Sequence, residues 1–251
     1  MAQHNEIEFE REFAEYLAAH GWLYSMNDTG YDKERALFPA DVLGWLRDTQ
    51  PEQVDKVIKP GSKDVAKQEL QLLDRLVKVL DLPLANGGGT LNVLRNGFSH
   101  LSGKFAMCVF RPESTLNAKR NTDHAAVRLR VMRQVHFSTA DNRSVDLVFF
   151  VNGLPVATAE LKTDFTQSVA DAITQYRATR LPKDPKTGLV QPLFLSGARA
   201  LVHFAVSNDE VWMTTHLVGE KTHFLPFNRG TEDGGAGNLL NPNGSRSSYL
   251  W

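Results

Sequence analysis

The sequence is poor in cysteine, in net charge and in long apolar runs, and each shortage excludes a class of protein. Cys108 is the single cysteine among 251 residues, which excludes an internal disulfide and a zinc site built from cysteines. No apolar run is long enough to span a bilayer, and the acidic, polar N-terminus does not have the form of a signal peptide. We therefore expect a globular protein of the reducing cytoplasm that has no membrane partner.

The charge balance gives no overall sign of nucleic-acid binding. The chain has 28 Lys and Arg residues against 29 Asp and Glu residues, a net charge of −1, so any contacts with phosphate must be local. The densest basic segment spans 119–133 and includes Arg128, Arg130 and Arg133. These arginines alternate with apolar residues, as in a strand with one wet face. They are either DNA contacts or a solvated strand face.

Several common catalytic motifs are missing as well. The Gly-rich segment 86–90 lacks the Gly-Lys-Ser/Thr that completes a nucleotide-binding loop, which excludes an independent nucleotide-driven enzyme. The eight histidines show no metal-ligand spacing, and no Gly-x-Ser-x-Gly nucleophile turn occurs. The acidic residues are therefore the remaining candidates for a catalytic role.

The order of the predicted elements indicates an α/β (α+β) protein, with helices packed on the faces of one mixed central sheet. The spacing of apolar residues predicts an N-terminal helix that ends before Gly21. Three further helices are predicted at 38–47, 65–80 and 166–180. Strands are predicted at 91–94, 104–110, 127–137, 145–151, 156–162, 200–206 and 211–217. Residues 1–251 are interpreted as a single domain with three parts: helical 1–85, sheet and helix 86–220, and a loop-rich tail 221–251.

Two of the strand runs carry ionisable groups into a part of the sheet that should be buried. In SVDLVFFVNGLPVATAELKTD, residues 144–164, the Asn-Gly-Leu-Pro segment is interpreted as a turn that folds both runs into a hairpin. Side chains alternate along a strand, so Glu160 and Lys162 project from the same face, and the hairpin brings Asp146 to the same end. Two converging carboxylates suit Mg²⁺, and a lysine beside them can orient the attacking water and offset phosphate charge.

The alternative interpretation is a salt bridge at the end of a strand, worth about 0–1 kcal/mol. An acidic residue two positions before a lysine occurs twice, at Glu160-Leu-Lys162 and at Asp184-Pro-Lys186. The proline of the second excludes a central strand, so only the first lies in a strand. This pattern alone leaves both interpretations open.

The same residues carry a resemblance to a known family. Asp146 followed by Glu160-Leu-Lys162 resembles the PD-(D/E)xK nuclease signature. The segments DLVFFVNGLPVATAELK, DAITQYR, LVHFAV and EVWMTTHL resemble the N-terminal endonuclease domain of type I restriction enzyme R subunits, and the likeness covers nearly the whole chain. The resemblance implies a restriction-endonuclease-like fold and Mg²⁺-dependent cleavage of double-stranded DNA.

The resemblance also implies partners. In this family a motor that binds ATP translocates DNA before cleavage and follows on the same polypeptide, so we expect this chain to be a fragment that leads into it. ATP would enter only through that motor. Methyltransferase (M) and specificity (S) subunits would complete the restriction complex. The runner-up hypothesis is a non-catalytic module of the same fold that joins the motor to the methyltransferase core.

By its motif positions, the resemblance makes Asp146 and Glu160 metal ligands and Lys162 the catalytic lysine. It also implies a glutamine motif on the following helix, which Gln175 occupies. We expect Gln175 to act as a catalytic residue that holds the lysine or a phosphate, and Tyr176 and Arg177 to contact DNA.

Nucleases of this fold often add an acidic residue from the first helix. Glu10 is our candidate for this further metal ligand, with Glu6 one turn away. The alternatives stay open: core packing for Tyr176, no role for Gln175, and a solvated helix face for Glu10.

Overall fold

The computed structural model describes residues 2–163, 168–228 and 237, with side chains from residue 6 onward. In these residues the helices are α1 Ala2–Ala19, α2 Pro39–Thr49, α3 Pro51–Asp55, α4 Val65–Leu80, α5 Thr90–Asn96, α6 Ala118–Ala125 and α7 Val169–Thr179. The strands are β1 Leu23–Ser25, β2 Phe98–His100, β3 Gly103–Phe105, β4 Leu129–His136, β5 Ser144–Val151, β6 Leu154–Leu161, β7 Val202–Val206, β8 Val211–Thr214 and β9 Leu225–Pro226. No helix in this part of the chain combines the length and the apolar character needed to cross a membrane.

Seven strands form one mixed sheet in the order β1-β4-β5-β6-β7-β8-β9. The pairs β1–β4 and β6–β7 are parallel, whereas the other neighbouring strands are antiparallel. The strands β2 and β3 pair separately as a small hairpin. This arrangement confirms the predicted mixed central sheet flanked by helices.

Helices cover both faces of the sheet because apolar side chains alternate along its strands. Leu147 packs on the side of α1 with Phe9 and Ala14, and the next residue, Val148, packs on the side of α7 with Tyr176. A third apolar cluster, beside the sheet, joins α2, α4, α5 and the β2–β3 hairpin. The central strands are therefore enclosed, and three of their ionisable residues, Arg133, Glu160 and His203, are buried.

The hairpin of β5 and β6 turns on Asn152 and Gly153, which both have positive φ angles of 49° and 80°. Two such residues in a two-residue loop match the turn that fits the twist of antiparallel strands. The turn is thus shorter than the predicted Asn-Gly-Leu-Pro, because Leu154 and Pro155 already belong to β6. A register irregularity between Phe149 and Phe150 lies opposite Pro155.

Two predicted strands are wrong. Residues 91–94 form part of the helix α5, which lies between the capping residues Gly89 and Gly97. Of 104–110, only the first residues pair as a strand. The carbonyl of Ala106 instead accepts hydrogen bonds from Trp45 Nε1 and Gln50 Nε2, so side chains satisfy this backbone in place of a ladder. In addition, β1 lies inside the part that we predicted to be helical.

Gly153 provides a test of how the hairpin is held against α2. A Cβ built there would lie 2.5 Å from the Phe38 carbonyl oxygen and 2.8 Å from the Val42 nitrogen. We expect Gly153→Ala to lower the free energy of unfolding by more than about 2 kcal/mol, from left-handed strain plus the backbone clash.

Gly61→Ala is the matched control, because Gly61 has a φ of 74° and open space around its Cβ position. That variant should lose only about 1 kcal/mol in urea unfolding, from strain alone. Equal losses in the two variants would contradict the close approach as the cause.

Candidate active site

The candidate site lies where β5 begins and β6 ends. One position beyond the paired residues Leu147 and Ala159, the strands carry Asp146 and Glu160. The Leu161 backbone N–H donates to Asp146 Oδ2 at 2.8 Å, which fixes this carboxylate against the neighbouring strand. The hairpin therefore gathers the predicted acidic pair at one end of the sheet.

Helix α1 adds two more carboxylates from the other side. The Lys162 ammonium lies 3.6 Å from Glu6 Oε1 and is nearly buried. Glu10 Oε1 accepts a hydrogen bond from Gln134 Nε2 at 2.8 Å, and the same amide lies 3.5 Å from Asp146 Oδ1. The structure thus places both Glu10 and Lys162 at the strand end that carries Asp146.

Gln134 is a member of the site that the sequence analysis missed. Neighbouring residues of a strand normally point to opposite faces. Arg133 and Gln134 nevertheless both bond to Glu10, because Gln134 has a φ of 49°. Ser144 Oγ donates to Gln134 Oε1 at 3.0 Å and fixes the orientation of the amide. A non-glycine residue held in this region is a typical mark of a functional constraint.

Glu160 is fully buried, and its two oxygens differ. Arg180 Nε donates to Oε1 at 2.6 Å, whereas Oε2 has no hydrogen-bond partner among the described residues. Burial and then the charge of Asp146 raise the pKa of Glu160 well above its ordinary value, against the opposing effects of Arg180 and Lys162. A bound cation would satisfy this unpartnered oxygen.

The surroundings of Glu10 disfavour its charged form in the same way. Burial, followed by the charge of Asp146, raises its pKa from 4.5 to about 7, although hydrogen bonds from Gln134 and Arg133 lower it. Negative charge at this end of the sheet therefore exceeds what the neighbouring cations compensate.

Tyr176 lies in the core rather than at a surface that DNA can reach, which corrects the DNA-binding prediction. Its side chain is fully buried, and its hydroxyl is 2.7 Å from Thr158 Oγ1, which in turn is 2.8 Å from His203 Nδ1. Burial lowers the pKa of His203 to about 3, so this histidine is neutral. Core packing, the alternative named for Tyr176, is what the structure has.

The three arginines of β4 and its approach form intramolecular ion pairs. Arg128 binds Asp48, Arg130 binds both oxygens of Asp41, and Arg133 binds Glu10. Arg130 also stacks 4.2 Å from the centroid of the Phe38 ring, and Arg133 is buried. They are therefore neither a solvated strand face nor free cations, and contact of these arginines with DNA stays a prediction.

No hydrogen bond joins the remaining two predicted residues, Gln175 and Arg177, to the acidic group in the described part of the chain. The side-chain amide of Gln175 has no hydrogen bond within the described part of the chain. The backbone carbonyl of Gln175 accepts a hydrogen bond from Thr179 Oγ1. Arg177 donates through Nε and Nη2 to the Thr222 carbonyl. Contact of Arg177 with DNA stays a prediction.

The acidic group can hold a metal ion only with help from solvent or substrate. Within residues 6–163 and 168–228, no three His, Cys, Asp or Glu side chains form a ready metal-binding cluster. Mg²⁺ commonly binds through one or two carboxylates and keeps several waters. Asp146 and the free oxygen of Glu160 fit that requirement.

Comparison with known families gives a direct result. The family described as type I restriction enzyme R protein N terminus matches residues 4–222. The chain belongs to this family. The matched range contains the whole candidate site of this R-protein domain, from Glu6 to Arg180. No curated protein and no solved structure matches the chain.

The raised pKa of Glu10 predicts a pH dependence of stability for this R-protein domain. Between pH 4.5 and about 7 the folded chain holds a proton on Glu10 that the unfolded chain has lost. Stability therefore falls as pH rises through this window and levels off above it. In Glu10→Gln we expect the slope to be smaller by up to about 1.4 kcal/mol per pH unit.

Urea unfolding at pH 5, 6, 7 and 8 without divalent cations measures these slopes. Glu15→Gln, at an exposed position of the same helix, should keep the wild-type slope. An unchanged slope in Glu10→Gln would show that Glu10 ionises normally in the folded chain.

Proposed function

We propose that this chain is the Mg²⁺-dependent endonuclease domain of a type I restriction enzyme R protein, which hydrolyses phosphodiester bonds of double-stranded DNA. One observation carries the proposal: a buried glutamate at a strand end keeps one oxygen unpartnered beside a second carboxylate and a lysine. Leaving a buried oxygen without a partner costs stability, and a cation removes that cost.

Asp146 and Glu160 would hold the metal ion, Glu160 through Oε2. A bound Mg²⁺ would supply charge stabilisation and a lower pKa for water. Glu10 is proposed as an additional ligand. Because both of its oxygens accept hydrogen bonds from Gln134 and Arg133, it would exchange one of them for the cation.

Lys162 is proposed to act on the reacting groups themselves. Its ammonium would donate hydrogen bonds to the attacking water and to a non-bridging phosphate oxygen. The water oxygen forms the new bond to phosphorus as the bond to the leaving oxygen breaks, and negative charge grows on the phosphate oxygens. The attacking water releases a proton to solvent, and the leaving oxygen takes one up from solvent. A fixed ammonium in a site with little water stabilises that charge strongly. Glu6, 3.6 Å away, would hold the ammonium in place.

The wider assembly is part of the same proposal. A motor on the R protein would use ATP to translocate DNA before cleavage, and M and S subunits would complete the complex in the cytoplasm. A net charge of −1 agrees with a domain that depends on other parts of the assembly for most of its affinity for DNA.

The alternative is a non-catalytic docking module, which the Glu160–Arg180 pair favours, since buried ion pairs also occur in scaffolds. A scaffold, however, gives no reason to keep Glu160 Oε2 unpartnered beside Asp146. The two hypotheses predict different results when Lys162 is replaced.

Lys162→Ala in the R protein of an assembled restriction complex tests the proposal. With ATP, Mg²⁺ and a circular plasmid bearing the target, we expect ATP hydrolysis to continue and DNA cleavage to fall by at least about 100-fold. Both rates are followed in the same reaction.

Lys186→Ala is the matched control, because Lys186 has the same acidic-x-lysine spacing but is exposed outside the sheet. It should cut like wild type. Cleavage that survives Lys162→Ala would reject the proposed lysine and support the docking module.

A further inference from the structure

Arg180 is a buried arginine that no sequence motif pointed to. It follows α7 directly, and only 5% of its surface is exposed. All three guanidinium nitrogens of Arg180 donate hydrogen bonds. Nε donates to Glu160 Oε1 at 2.6 Å, Nη1 to Thr179 Oγ1 at 2.8 Å, and Nη2 to the Ser144 carbonyl at 2.7 Å.

These bonds decide which part of Glu160 is available. The bond from Nε occupies Oε1, so the carboxylate cannot rotate freely, and Oε2 is the oxygen left without a partner. A charged carboxylate in a buried position needs such a cation beside it. Arg180 also cannot reach DNA, because it is enclosed and stacks 5.3 Å from the centroid of Phe137.

The same arginine is connected to the rest of the acidic group. The residue whose carbonyl it binds, Ser144, donates through Oγ to Gln134, and Gln134 donates to Glu10. A continuous set of hydrogen bonds therefore runs from Glu160 through Arg180 and Ser144 to the α1 side of the site. Outer partners of this kind orient the groups that bind a metal directly.

We propose that Arg180 is a positioning residue, which holds Glu160 by one oxygen and leaves the other oxygen for a divalent cation. This inference rests on the proposed function, because it takes Glu160 as a ligand. Its effect should be visible in metal binding itself, without DNA and without cleavage.

Mn²⁺ binding to the 251-residue chain, measured by the loss of the free Mn²⁺ signal in electron paramagnetic resonance, tests the proposal. We expect Arg180→Met to weaken Mn²⁺ binding roughly 10–100-fold, the usual effect of removing an outer-shell partner. Glu160→Gln, which removes the ligand charge but can still accept from Arg180, should weaken it at least as much.

Arg143→Met is the matched control. The Arg143 guanidinium also stacks on Phe137, at 5.6 Å, but it binds Asp141 and Asp184 rather than Glu160. The Arg143→Met variant should bind Mn²⁺ like wild type. Weaker binding in both methionine variants would indicate general damage to this region and would overturn the proposal.

The remaining outcomes separate the two levels of inference. Wild-type binding in Arg180→Met together with a loss in Glu160→Gln overturns the role of Arg180 and leaves the proposed metal site intact. Wild-type binding in Glu160→Gln overturns both. If Arg180→Met does not unfold cooperatively, Arg180→Lys takes its place, because lysine keeps the charge but cannot make all three bonds. Binding several-fold weaker than wild type supports the proposal, and unchanged binding overturns it.

Discussion

The register of the β5–β6 hairpin is the constraint on which the rest of the site depends. A slip of one residue in an antiparallel pair moves every side chain of a strand to the opposite face. Here such a slip would exchange Glu160 with Leu161 and place an apolar side chain where the buried carboxylate now lies. The turn at Asn152 and Gly153 prevents it, because the Phe38 N–H at the start of α2 donates to the Gly153 carbonyl at 2.9 Å.

The second feature of the site is an excess of carboxylates over neighbouring cations. Glu6, Glu10, Asp146 and Glu160 converge on one end of the sheet, where Lys162, Arg133 and Arg180 supply fewer positive charges. Burial reduces the solvation of the charged carboxylates by water, so the pKa values of Glu10 and Glu160 both rise. Proton release should therefore accompany any binding of a divalent cation to these two carboxylates.

The hairpin pattern predicts the members of the site that are close in the chain. Glu10 followed only from the family resemblance, and the structure adds Gln134 and Arg180. Asp146, Glu160 and Lys162 were predictable because a hairpin is a local structure with a fixed period. Arg180 gave one usable signal, since it directly follows α7 and lies four residues after Tyr176, a residue of the buried stripe of that helix. Gln134 gave another, because Val131 and Met132 interrupt the alternation of β4. Neither signal names a partner, and only tertiary packing brings Arg180 to Glu160. The strand predicted at 91–94 failed because a short apolar run fits a helix equally well.

The separation of these residues along the chain also bears on when the site exists. Asp146 meets Leu161 across 15 positions, whereas Glu10 reaches Gln134 across 124. Contacts at small separation close at a lower entropic cost, so the hairpin carboxylates can meet before α1 docks. An incompletely folded chain therefore holds part of the acidic group but not the Glu10 side of it. The complete acidic group therefore forms only once the long-range contact between Glu10 and Gln134 is made.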